Sequence, residues 1–151
     1  MELLVVTALM GTVLAVVFSF FPLGSNYWER SAALAEAHQH ARIAVEEVVH
    51  ELHYAHRVRV DQQNWLITYW KDVEGELKRY KIYQWGRQIL LDLPEGTAVP
   101  LAGCIDRMWV EPDGVLQRGQ LLVLTVHTSW EGHGVKLRSA VVPRNLQVAG
   151  L

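Results

Sequence analysis

The chain has 151 residues, half of them apolar, enough for a single domain of ordinary size. Its formal charge of -2, with seven histidines, gives neither the basic footprint of a nucleic-acid binder nor an acidic tail. One cysteine, Cys104, excludes an intramolecular disulfide, and its expected role is that of a small buried apolar residue.

The first element is an apolar run. From Leu3 to Leu23 no residue is charged. As a helix rising about 1.5 Å per residue it spans roughly 30 Å, the thickness of a bilayer's hydrocarbon core. A cleaved signal peptide requires a basic leading region and a shorter apolar core. Here the first basic residue is Arg30, well after the run. A retained membrane helix is therefore expected over residues 1–24, with one globular domain over 25–151. Glu2 is fused directly to the run and admits two readings: a charge resting among headgroups, or a carboxylate held in the membrane for a partner charge. The second requires that partner, because an unpaired acid at the bilayer centre costs about 2.5–3.5 kcal/mol.

Pro22 disturbs the helical hydrogen-bond ladder, and Ser25 or Asn26 offers a cap for a second helix, expected over 26–57. Leu34, Ala41, Val45, Val48, Leu52 and Ala55 form one apolar stripe at helical spacing, which needs a sheet to lie on. If Pro22 and Gly24 bend the helix without stopping it, anchor and stripe form one rod of about 80 Å. Strand patterns follow from about 65 to 142, at 65–70, 77–83, 88–93, 104–110, 121–128 and 135–142, with a connection through Pro100. Turn chemistry separates them at 73–76, 111–114 and 131–134. The fold class is α+β, a long N-terminal helix packed on an antiparallel sheet of five to seven strands.

The opening segment Glu2-Leu-Leu-Val-Val-Thr-Ala-Leu-Met-Gly-Thr-Val-Leu-Ala-Val-Val resembles the N-terminal segment of type IV pilins and type II secretion pseudopilins. Those begin, after leader cleavage, with Phe-Thr-Leu-Ile/Val-Glu-Leu-Leu-Val-Val. Glu2 takes the place of the family's glutamate, and Pro22 falls near its mid-helix proline. The leader, its glycine and the residues ahead of the glutamate are absent, so either the biological start lies upstream of Met1 or the chain cannot be processed. More loosely, residues 41–52 and the ending at 137–145 are similar to the larger minor pilins and minor pseudopilins of the PilW, GspJ and ComGF type.

The resemblance implies a pilin-like fold, whose long helix protrudes in its first half and packs on a sheet in its second. It implies a single-pass protein of the inner (cytoplasmic) membrane with its globular domain outside the cytoplasm. Its partners would be other pilin or pseudopilin subunits, the membrane and, if the true start is upstream, a prepilin peptidase. Glu2 would pair with a neighbour's N-terminal amine, and Ala8, Gly11 and Ala15 would let neighbouring helices approach closely. The system implied is a type IV pilus, competence or type II secretion filament, with a lean towards the first two and a place in an initiation or tip complex.

Enzymatic chemistry finds little support in the residues. His50, His53 and His56 are three apart, so each step turns about 60° around a helix and the three do not face one ion. His50-Glu-Leu-His53 lacks the four-residue spacing of zinc hydrolases. His38 and His40 point to different faces. No nucleophile elbow, phosphate loop or dinucleotide fingerprint occurs. Lys78, Arg79, Lys81 and Arg87 with Tyr83 and Trp85 are the only basic-aromatic cluster, diluted by Glu74 and Glu76, and read as an outer strand face more than as a DNA groove. Trp65, Tyr69, Trp85 and Trp109 are expected in the core or at an interface. The chain reads as a non-enzymatic assembly protein without cofactor or metal. Its rival is a single-pass, membrane-anchored binding domain that does not polymerise.

Overall fold

A computed structural model describes residues 2–146; Met1, on which the expectation about processing rests, lies outside them. One helix, α1, runs uninterrupted from Glu2 to His53. Neither Pro22 nor Gly24 stops it, and Ser25 and Asn26 lie inside it and cap nothing. It ends four residues before the expected boundary at Arg57. Ala55 N–H bonds the Leu52 carbonyl, and Arg144 N–H, from the far end of the chain, satisfies the His53 carbonyl. Arg57, the expected last helical residue, instead opens a strand over 57–61, where none was expected.

Nine strands follow: β1 Arg57–Asp61, β2 Leu66–Val73, β3 Glu76–Trp85, β4 Gln88–Asp92, β5 Ala98–Gly103, β6 Ile105–Glu111, β7 Gly114–Val115, β8 Leu122–Trp130 and β9 His133–Val141. They form two antiparallel sheets where one was expected. The larger has the order β5-β4-β3-β2-β1-β7 and the smaller β6-β8-β9. The architecture is α+β, a long N-terminal helix on antiparallel sheets. Two hairpins turn on pairs with positive φ, Glu74–Gly75 between β2 and β3 and Glu131–Gly132 between β8 and β9. That backbone matches the twist of the flanking strands.

The core lies between α1 and the inner faces of both sheets. Val58, Val60, Ile67, Tyr69, Ile82 and Ile89 come from the larger sheet, and Ile105, Met108, Leu122, Leu124 and Val126 from the smaller. The helix lies mainly against β9 and β8. Its buried stripe is Ala33, Ala37, Ala41, Ala44, Val45, Val48 and Leu52. Leu34, expected in the stripe, is 36% exposed, while Ala33 and Ala37 on either side of it are buried. Thr128 Oγ1, the one buried polar side chain of the described core, donates to the Ala37 carbonyl at 2.8 Å.

The sheets are joined by polar side chains beside the β3–β4 hairpin. Gln84, near the end of β3, accepts from Met108 N–H at 2.9 Å and donates to the Asp106 carbonyl at 3.0 Å. It stands in for a peptide group where the backbone ladder between β3 and β6 is missing. An irregularity between Ile105 and Arg107 then swings Asp106 out of register. Its carboxylate meets Arg87 at 3.1 Å and His127 at 3.7 Å.

Candidate functional site

The residues expected to drive assembly all lie on the first half of α1. The helix contains an 18-residue window of mean hydropathy 2.5, none of it buried, and is long and apolar enough to cross a membrane. Leu3, Leu4, Val5, Val6, Leu9, Met10, Val13, Leu14, Phe18 and Phe21 are all exposed. The hydroxyls in this run are satisfied within the helix. Thr7 bonds the Leu3 and Leu4 carbonyls, Thr12 those of Ala8 and Leu9, and Ser19 that of Val16. In hydrocarbon, where no water completes a polar group, such internal bonding is required.

Glu2 occupies the first turn, where the unpaired N–H groups of the helix favour a negative charge. It is exposed and forms no ion pair among the described residues. Pro22 sits mid-helix, where its missing N–H frees one carbonyl in the turn before it. Ala8, Gly11 and Ala15 are exposed, and a side chain added at Gly11 would meet nothing within 4 Å. One signal in the sequence was passed over: Tyr27 and Trp28, 70% and 78% exposed, directly follow the uncharged run. Aromatic residues with a polar edge favour membrane–water interfaces.

The other candidates disperse. His50 is exposed, His53 meets Tyr54 edge-on with ring centroids 5.0 Å apart, and His56 has left the helix. His38 is exposed, and His40 lies 5.6 Å from the Trp130 ring. Among the described residues no three His, Cys, Asp or Glu side chains converge as metal ligands would. Cys104 is not in a strand as expected. It stands between β5 and β6 with φ of 61° and is partly exposed.

Of the aromatics, Tyr69 is core, and its hydroxyl donates to Glu51 Oε2 at 2.8 Å while Lys71 approaches the same carboxylate at 3.6 Å. Burial first, and the Glu51 charge second, push the Tyr69 hydroxyl well above its ordinary range, so it remains a donor. Trp65 packs against the core. Arg107 stands over both Trp65 and Trp109, at 5.5 and 5.3 Å from the ring centres. Trp85 lies on the surface, 72% exposed.

The basic cluster is rearranged by strand register. Lys78 shares a face of β3 with Tyr80 and Ile82, and Arg87 is engaged by Asp106 and the Ser129 carbonyl. Arg79 and Lys81 remain on the outer face, where β1, absent from the sequence reading, brings Arg57 and Arg59 beside them. Across β2 the register is Arg57–Trp70–Arg79 and Arg59–Thr68–Lys81. Arg59, Thr68, Lys81, Trp70 and Arg79 of these rows line a concavity of about 560 Å³ that also includes Asp61, Leu66 and Asp113. Both carboxylates are engaged: Asp61 by Asn64, whose hydrogen bonds hold it below the usual carboxylate range, and Asp113 by Gln62 N–H. Among the described residues Arg57, Arg59 and Arg79 have no ion-pair partner, while Lys81 reaches Asp92 at 3.9 Å. Comparison of the chain with protein-family models, curated proteins and solved structures found no match.

Proposed function

We propose that the chain is a minor pilin or pseudopilin, a membrane-anchored structural subunit of a type IV pilus, competence or type II secretion filament. The observation that carries this reading is the division of one unbroken helix. Its first half is apolar on every side and bare, while its second half is a stripe packed on sheet. A helix apolar all round needs an apolar environment on all sides. A bilayer supplies one before assembly, and a bundle of like helices supplies the other after it. Burying each Leu, Val or Phe is worth about 1.5–3 kcal/mol, so the bare half does not persist in water. Tyr27 and Trp28 would sit at the interface, with the globular domain beyond them.

In this reading Glu2 pairs with the N-terminal amine of a neighbouring subunit, and the heterologous contact repeats without closing, as a filament requires. Glu2→Ala is the test, read by filament recovery and by filament-dependent function in cells. Loss of both, with an unchanged unfolding curve for the globular domain, is the expected result. Unchanged assembly would sink the filament reading and leave an anchored binding domain, with the concavity over β1–β3 as its place of binding. Mass spectrometry of the native N-terminus gives an independent check: an N-methylated phenylalanine ahead of Glu2 would establish prepilin processing.

A further inference from the structure

The charges outside the anchor are segregated. On α1, Glu29, Glu36 and Glu47 are exposed, and at 100° per residue they fall within about 20° of one another around the helix. None has an ion-pair partner among the described residues; the exposed pair on this helix is Arg42–Glu46, at 2.6 Å on another side. The cations Arg57, Arg59, Arg79 and Lys81 lie elsewhere, on the outer face of the larger sheet.

We propose that this sheet face receives the acidic side of α1 from a second copy of the chain. Spacing is the first support. The rows on β1 and β3 are two strand separations apart, roughly 9.5 Å. Glu29 and Glu36, seven residues apart on a helix, are separated by roughly 10.5 Å, and Glu36 and Glu47 by roughly 16.5 Å. A helix crossing the strands places Glu29 and Glu36 over the cations of the two strands, and Glu47 extends the acidic side beyond them. Nucleic acid fits less well. Its strand carries a charge about every 3.4 Å of duplex axis, so it would also meet Asp61, Asp92 and Asp113, which line this face. The anchoring membrane is too far away. Arg57 follows the end of α1, which rises roughly 44 Å between residue 24 and His53.

The contact joins two different patches, so each copy offers both and the series remains open. It rests on the filament reading of the anchor, which holds copies side by side and supplies the local concentration that exposed charges need. Such pairs are individually weak, and their effect is chiefly on register and partner choice.

The test uses the full chain in membranes, as a mixture of heavy-isotope and light copies treated with a carbodiimide, which joins a carboxylate to a lysine amine. Mixed-isotope peptides linking Lys81 to Glu29, Glu36 or Glu47 are expected. Arg59→Glu/Arg79→Glu, which keeps Lys81 as the reporter, should lower cross-copy recovery about fivefold, the sum expected of a few exposed pairs, and so should Glu36→Lys/Glu47→Lys, which keeps Glu29. Co-expressing the two reversed variants should restore it. The milder Arg59→Gln/Arg79→Gln serves if a reversal alters the unfolding curve, and should lower recovery in the same direction. Absence of restoration overturns the proposal. So does loss of single-stranded oligonucleotide or phosphatidylglycerol-vesicle binding in the sheet variant while the helix variant leaves cross-copy recovery unchanged. A failed swap with filaments still dependent on Glu2 removes this contact alone; filaments indifferent to Glu2 remove the reading beneath it.

Discussion

The two halves of α1 share one backbone and differ in almost everything else. In the first, large side chains point in all directions and touch nothing in the chain; in the second, small ones face a sheet and charged ones face away. Helical propensity is lower in the first half, rich in Val and Phe, than in the second, rich in Ala and Glu, yet both are helical, so propensity does not explain the division. What separates them is the partner each surface is built for. The packed half is matched to a surface within the molecule, the bare half to one outside it.

The same substitution made in each half tests that division. Leu52→Ala, at a fully buried position, should cost about 2–5 kcal/mol in denaturant unfolding of the full chain in micelles. Leu14→Ala should leave that transition where it was, and a comparable loss there would mean that the bare half has a partner within the chain. Tyr69→Phe removes the hydrogen bond from β2 to Glu51 on the packed half, a bond to a charged group worth about 1.5–3 kcal/mol. It also has a pH signature. The hydroxyl's raised pKa contributes stability below the unfolded value of about 10, and this is lost as pH rises beyond it. Unfolding midpoints at high pH should therefore fall more steeply in the parent than in the variant.

Ala41→Phe overfills the close contact of helix with sheet, for an expected loss of about 1–3 kcal/mol, whereas Ala15→Phe should leave the globular unfolding curve alone. The smallest effect belongs to Glu46→Ala. Its partner Arg42 is fully exposed, and no measurable change in midpoint is expected.

The apolar first half of the helix was legible because its signal is compositional and needs no knowledge of what lies opposite. The stripe was half legible: Val45, Val48 and Leu52 stand out by size, but choosing Leu34 over Ala33 favoured bulk where the buried residues are alanines. Strand β1 was not read: the expected helix ran to Arg57 and the strands began near 65, although Val58 and Val60 between Arg57, Arg59 and Asp61 alternate correctly. Strand β5 was hidden by Pro100, which is tolerated because β5 is an edge of the larger sheet. The joining of the two sheets by Gln84 and Arg87 depends on residues far apart in the chain, and the basic face on the register of β1 and β3 across β2. Both are long-range facts with no local pattern.

The order of synthesis adds a consequence to the contact between α1 and the last two strands. Ribosomes deliver the helix first, while β8 and β9, which cover most of its stripe, come last. Residues 37 and 128, joined by a buried hydrogen bond, are 91 positions apart, and at about 5–20 residues per second that interval is roughly 5–18 s. Throughout it the alanine stripe has no cover, and the amide of Arg144 that closes the helix end at His53 arrives later still. A chain interrupted before β9 therefore keeps its first element uncapped and its sheet-facing side open to any neighbour.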